Sequence, residues 1–536
     1  MENGMEITVS ETTAAYAEAP RHPNINTKRE SLEAAADKFW NSGAYFPAVV
    51  GTAALFLFSG HNIGGMAVIF AFLIFMHLFC SDLLAGVLPE VLLLLMGTLY
   101  YDNLAALLPY WWSIPVLAAS YCYNLMHWRK TLQKSACFGS LKAVAAATLL
   151  GGLGCISIKE YFSVATLLYG VGLGVGMLVA GVMYSTSLSR PRSYDLAERF
   201  CAILYAVGVF AGFTVISYYF WHLSDMAGKP GILYISYRNY LTTMLLVALP
   251  MPFKFMKKSR LHIAAVAFMY AALLLTGSRS GLVFGTLSVA VCAFLTINRG
   301  KTLTFRDRSL ILPYLAAAAL IIFILGQTVL SSRLVDGQLF PVTDSRVAFC
   351  KQAVMDFLTW PLFGIGLGNM KNSSIFIGVG GSMVWYHNYF AQIIGSMGLF
   401  GIFAYGWLLR DRYALLKRLC GKREFMIVMA FAGMFMVSMT NPGEFCPYPN
   451  EFLMVLLFDV AQAIMVSEEA ATASAESTSV VWTPARRPVP QGAYSGRANT
   501  LSLSEGSNAL VLNTSYTGKK LSTASGTPER RLGGRL

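Results

Sequence analysis

The chain is poor in charge. Only 13% of its 536 residues are Asp, Glu, Lys or Arg, where a soluble globular domain carries about 25%. That shortage excludes a fold solvated by water on all sides. Paired cysteine motifs are missing too. Nine cysteines are scattered, most inside apolar runs, with no Cys-x-x-Cys, so they read as small apolar side chains. No apolar run precedes Tyr45, and no cleavable signal segment is expected in the usual position. There is no convincing internal repeat.

Acidic residues are the scarcer sign, 28 against 41 Lys and Arg, for a net charge of +13. Such a balance could indicate nucleic acid, but its distribution argues against that partner. The tail after Val480 holds eight basic residues and two acidic ones, and most of the rest lies in short loops between apolar runs. This is how positive charge is kept on the cytoplasmic side of a membrane.

What the chain does have is apolar length. It is 55% hydrophobic, with a mean hydropathy of +0.54. Runs of about 20 apolar residues, each able to cross ~30 Å of hydrocarbon, predict an all-α polytopic membrane protein. We expect about 12–14 transmembrane helices and a long external loop containing an amphipathic helix. Residues 1–43 read as a cytoplasmic segment ending in a short amphipathic helix, "SLEAAADKFW", with Phe39 and Trp40 at the interface. Residues 44–466 form the transmembrane domain, and 467–536 a disordered cytoplasmic tail.

Sidedness follows from the loops. Those at 127–134, 189–199, 254–260, 298–308 and 410–423 hold three, three, four, four and six Lys or Arg. All fall on one side if the spans alternate, which puts them and both termini in the cytoplasm. The opposite face carries the one long loop, 331–385, and long loops are commonly functional. In its stretch "RVAFCKQAVMDFL", Val347, Cys350, Val354, Phe357 and Leu358 recur at helical spacing. Arg346, Lys351, Gln352 and Asp356 form a polar face, as in a helix lying on a membrane surface.

Four features then share the outer face. Arg238 opens a span near 232–253. Arg279 sits in the turn "TGSRSG" between spans near 261–277 and 280–297. Arg346 begins the loop helix, and His387 opens a span near 386–409. An arginine at the end of an apolar run is costly unless it snorkels or pairs. Its planar fork suits phosphate. Each residue alone has a plainer explanation as a headgroup contact or an interfacial polar group. His61, also followed by Asn and also on this face, shows that the dipeptide by itself means little. "GIGLGN" at 364–369 lacks the strand–turn–helix context of a dinucleotide site and reads as a tight return of the chain. Gly395, Gly398 and Gly401 suit close helix packing.

Taken together these residues resemble a family. His387, Asn388, Gly398 and Gly401 fit a histidine, an asparagine, nine residues and Gly-x-x-Gly. "TGSRSGL" resembles the same family's arginine signature, and Arg346 with "WPLFGIGLGN" resembles its long external loop. The family is the O-antigen ligase and O-antigen polymerase superfamily of bacterial polysaccharide enzymes. The resemblance covers roughly 230–440, with Cys350 standing where the family pattern has an aromatic.

The resemblance implies a metal-independent, inverting glycosyltransferase of the bacterial cytoplasmic membrane, needing no cofactor. Its donor would be a glycan on a polyprenyl pyrophosphate, and its acceptor a hydroxyl of a glycan, lipid or protein. His387 would be the catalytic base. Arg279, Arg346 and Arg238 would bind the pyrophosphate, and Asn388 would orient His387 or touch the sugar. The residue chemistry agrees: histidine titrates near working pH, and cationic donors can stabilise a leaving pyrophosphate. No Asp-x-Asp or other carboxylate cluster lies on the outer face. The competing reading is a transporter or flippase for lipid-linked sugars or small anions, with Glu90 and Lys142 as charges within spans.

Overall fold

A computed structural model of the chain describes residues 27–97, 109–128, 132–157, 170–190, 192–225, 232–234, 236–299, 345–367, 385–420, 424–445 and 447–479. The expected span near 311–330, most of the long loop, and the polar ends 1–26 and 480–536 lie outside the described residues. The described residues up to Ser477 form one compact unit.

Among the described residues the regular structure is almost wholly helical. The helices are α1 (Thr27–Asn41), α2 (Tyr45–Phe58), α3 (Asn62–Phe79), α4 (Leu84–Met96), α5 (Ser113–Trp128) and α6 (Phe138–Ser157). A π-helical turn at Gly172–Gly176 leads into α7 (Met177–Leu188), followed by α8 (Leu196–Trp221). A two-stranded antiparallel hairpin, β1 (Ile232–Leu233) with β2 (Ser236–Tyr237), pairs Leu233 with Ser236. Then come α9 (Arg238–Ala248), α10 (Met251–Phe255), α11 (Leu261–Leu275), α12 (Arg279–Arg299), α13 (Ser345–Thr359), α14 (Tyr389–Cys420), α15 (Phe425–Ser438) and α16 (Phe452–Ser479).

Five of these regions, α3, α8, α12, α14 and α16 with its preceding turn, are long and apolar enough to cross a membrane. α4, α6, α11 and α15 are shorter and equally apolar. Side-chain exposure separates centre from rim. α4 is buried along nearly its whole length, as a helix apolar on every face must be. α3 and α12 instead present Ile63, Val68, Val283, Leu287 and Phe294 outward. Helices with apolar outer faces are solvated by lipid, not water. The protein is therefore an all-α polytopic membrane protein.

Three local readings of the sequence change. Trp40 does not face lipid: it is buried in the protein, with the Arg199 guanidinium 4.7 Å over its ring and Tyr45 edge-on at 4.8 Å. α16 runs on to Ser479, so the first residues of the expected disordered tail are helical. Arg412, counted among the basic residues of the expected loop 410–423, lies inside α14 and is 1% exposed. It pairs with Glu444 and, at 3.2 Å, with Glu451, and its guanidinium lies 5.0 Å from the Phe458 ring. Glu444 and Glu451 thus fold into the bundle, and Arg412 is the counter-ion of these two buried carboxylates. Glu90 is a packed carboxylate, accepting bonds from Tyr121 and from Tyr184 at 3.3 Å.

α14 is not one straight span. Gly398 has φ +59°, a left-handed value that breaks the helical path. A Cβ there would meet the Pro361 carbonyl at 2.5 Å and the Leu362 backbone at 2.7 Å, so only glycine fits. Beyond the break the chain folds back. A Cβ on Gly401 would lie 3.1 Å from the Ile393 carbonyl, and the Tyr389 and Tyr405 rings are 6.0 Å apart. In a straight helix, residues 16 apart are separated by about 24 Å. The segment "WPLFGIGL" clasps this bend: Leu399 and Phe400 donate to the Pro361 and Leu362 carbonyls at 2.8 and 3.2 Å. Ile365 and Gly366 donate to the Gly395 and Ser396 carbonyls at 3.0 Å each. Close packing of these glycines is the expected role, but its purpose is a sharp turn within one chain segment.

Candidate active site

Each of the four outer-face positions lies at a helix N-terminus. Arg238 is the first residue of α9, Arg279 the first of α12 and Arg346 the second of α13, while His387 lies two residues before α14. Helix N-termini carry unsatisfied N–H groups and the positive end of the helix dipole. Four such ends bearing three arginines and a histidine make a cationic cluster if they meet.

Contacts between their neighbours bring them together. Phe349, one turn along α13 from Arg346, stacks on His387 with ring centroids 5.3 Å apart and planes at 23°. Asn388 donates to the Met439 carbonyl at 3.2 Å, and two residues further on Asn441 donates to Ser280 Oγ at 3.4 Å. The turn after α15 therefore ties the start of α14 to the start of α12. α9 joins through Thr242, one turn after Arg238, whose Cγ2 lies 2.8 Å from where a Cβ on Gly281 would stand. The side chains of Arg279 and Arg346 lie outside the described part of the structure.

Local chemistry explains each element. Ser278 caps α12, accepting from Gly281 N at 3.2 Å. Asn388 caps α14: its Oδ1 accepts from Phe390 N and Ala391 N at 3.1 Å each. With its Nδ2 on Met439, both ends of this side chain are engaged within the protein, which favours holding the backbone at 387 over touching a sugar. His387 is half-buried and has φ +54°. A non-glycine residue held in this region is uncommon and marks a site that its surroundings over-determine.

The frame around His387 is polar and buried. Tyr386 is fully buried, and its hydroxyl donates to Asp356 on α13. Asp356 also accepts from Gln352 Nε2 at 2.8 Å. The Tyr386 amide donates to Gln392 Oε1 at 3.0 Å, and Gln392 Nε2 donates to Ser396 Oγ at 2.8 Å. Burial pushes the Asp356 carboxyl above its usual range, against the opposing pull of the bonds from Tyr386 and Gln352. Of the expected polar face of the loop helix, Asp356 and Gln352 turn toward the protein while Lys351 is exposed. Val347, Val354 and Leu358 are exposed as well, apolar side chains suited to lipid.

The arrangement gathers four helix N-termini around a histidine with a constrained backbone. Sequence reasoning missed Tyr386, Gln392, Asn441 and Asp356 as the parts that hold it. Helical spacing places Asp356 on the loop helix, but nothing local to Tyr386, Gln392 or Asn441 signals their part. Residues 264–406 match the O-antigen ligase family. The matched stretch runs from α11 into α14 and includes Arg279, Arg346, His387 and Asn388, while Arg238 precedes it. No curated protein and no solved structure matches the chain.

Proposed function

We infer that this chain, with its O-antigen ligase segment, is a membrane glycosyltransferase that moves a glycan from a polyprenyl pyrophosphate carrier to an acceptor hydroxyl. The observation that carries this reading is the gathering of four helix N-termini at Arg238, Arg279, Arg346 and His387. Such a cluster suits a pyrophosphate better than a neutral sugar, because N–H groups, dipoles and guanidinium forks all favour negative charge.

In this mechanism neutral His387 takes the proton of the acceptor hydroxyl. The hydroxyl oxygen attacks the anomeric carbon, and the bond from that carbon to the pyrophosphate oxygen breaks on the opposite side. A single displacement inverts the anomeric centre. The leaving pyrophosphate keeps the electron pair, and Arg279 and Arg346, with Arg238 beside them, stabilise it. These cations supply the charge the leaving group needs, so the transfer is read as metal-independent. Asn388 keeps the backbone of His387 in its left-handed conformation. The site faces outward from the bacterial cytoplasmic membrane, with both termini inside, as the basic loops indicate.

The test is reconstitution. Purified protein given a lipid-linked glycan and a panel of glycan, lipid and protein acceptors should form a covalent product and release polyprenyl pyrophosphate. Movement of the lipid-linked glycan across sealed vesicles without any covalent product would overturn the reading in favour of a flippase.

A further inference from the structure

Three buried charges stand beside the start of α14. Arg412 pairs with Glu444 and, at 3.2 Å, with Glu451, and all three are 2% exposed or less. The two carboxyls lie against each other. Arg412 Nε and the buried Tyr389 hydroxyl next to them make no hydrogen bond. An ion cluster taken out of water adds little net stability, and packed apolar side chains of similar volume commonly serve as well or better. Like charges side by side and an unfilled donor make this one poorer still. What charged partners do add is direction, because their bonds fix distance and angle where apolar contacts do not.

That direction is passed to one turn. Residues 439–445, between α15 and α16, touch the site at three points. The Met439 carbonyl accepts from Asn388 Nδ2 at 3.2 Å, and Asn441 Nδ2 donates to Ser280 Oγ at 3.4 Å. The Phe445 ring packs on Tyr389 with centroids 5.2 Å apart. The same turn is fixed from behind through Glu444. Its carboxylate is on Arg412, and its amide donates to Ser438 Oγ at 2.9 Å. The neighbouring Gly443 carbonyl accepts at 2.7 Å from the side chain of Asn450, the residue before Glu451. Gly443 has φ +50°, and a Cβ there would strike Ser438, so the turn follows a path that glycine allows. Arg412, braced by Glu451, holds Glu444; Glu444 holds the turn; the turn holds Asn388 and Ser280.

We propose that Arg412, Glu444 and Glu451 are positioning residues, which through the turn 439–445 set where His387 stands relative to the start of α12 that carries Arg279. They act through Asn388 and Ser280, not on the reacting atoms. The kinetic consequence rests on the transfer reading above, while the link itself is a matter of geometry.

The test removes the charges together. In full-length protein, Arg412→Met with Glu444→Leu and Glu451→Leu should leave the unfolding midpoint at or above that of the wild type. Turnover per folded molecule should nevertheless fall about tenfold to a hundredfold, as expected of a displaced base, with the KM for the lipid-linked glycan unchanged. Hydrogen exchange at the Phe390 and Ala391 amides, which Asn388 holds, should quicken about tenfold or more. The control is the buried pair Arg192–Asp82, 3.0 Å apart and outside this chain of contacts. Arg192→Met with Asp82→Asn should keep the wild-type turnover per folded molecule and the wild-type exchange at 390–391. If the triple variant does not fold, Ser438→Ala serves in its place, with a fall in kcat of about two- to tenfold. Wild-type kcat in the folded variant, a raised KM with kcat unchanged, or equal losses in the control would overturn the proposal. If the wild type itself forms no covalent product, the transfer reading fails, and the exchange measurement alone decides the link: unchanged exchange at 390–391 overturns it.

Discussion

The chain contains His-Asn twice, and the two copies share little else. At residues 60–62 a left-handed glycine, Gly60 with φ +71°, has nothing within 4 Å of where a Cβ would stand. His61 is exposed and reaches only as far as the Ser59 carbonyl, at 2.8 Å. Asn62 leaves its Oδ1 without a hydrogen bond. At 387–388 the histidine itself is left-handed and stacked on Phe349, the asparagine is engaged at both ends, and the glycine that frames them, Gly398, is packed against the backbone of another segment. The same two side chains are a loose helix start in one place and a packed, doubly engaged one in the other. Under the proposed mechanism it is the frame, not the dipeptide, that sets the chemistry.

That contrast can be pulled apart residue by residue. Gly398→Ala should have the largest structural effect. A left-handed alanine costs roughly 1–2 kcal/mol, and the collision with Pro361 and Leu362 adds about 1–3 kcal/mol. Thermal unfolding should show a loss of several kcal/mol or failure to fold. Gly60→Ala, with open space around it, should cost only the first of these. Next comes Arg279→Lys, which keeps the charge but loses the bidentate fork. Turnover of lipid-linked glycan should fall about tenfold or more, with the unfolding midpoint unchanged. Asn388→Ala removes a helix cap and should cost about 1 kcal/mol of stability, whereas Asn62→Ala should stay within about 0.5 kcal/mol. Equal costs for the two asparagines would break the comparison.

The smallest effect concerns pH. The Asp356 carboxyl is raised in the folded protein. The stability it contributes is therefore fully present below the ordinary carboxylate range, about pH 4, and is lost as pH rises through the raised value. Asp356→Asn should flatten that slope. A slope of the opposite sign would contradict the buried docking of α13 on Tyr386.

Much of this was legible in the sequence, for identifiable reasons. Hydropathy and basic loops carry membrane folds well because the bilayer forbids most alternatives. Helical spacing gave α13, and the turn "TGSRSG" gave the start of α12. The bend at Gly398 was not legible, because the apolar pattern runs through it unbroken and the residues that require glycine there, Pro361 and Leu362, are distant in sequence. Arg412 was misread for a related reason. A solvated arginine and one paired with carboxylates 32 and 39 residues later look alike in a string of basic residues. Asn388 showed its position but not its work, which depends on Met439.

The central claim is that His387 is the base and that its frame, not the His-Asn pair, makes it so. The most direct measurement compares turnover of a lipid-linked glycan by His387→Ala and His61→Ala in the same purified preparation. Loss of a general base predicts a fall of roughly 10²–10⁴-fold for His387→Ala, with His61→Ala at the wild-type rate and both variants folded. Wild-type turnover by His387→Ala, or equal losses in the two, would contradict the account.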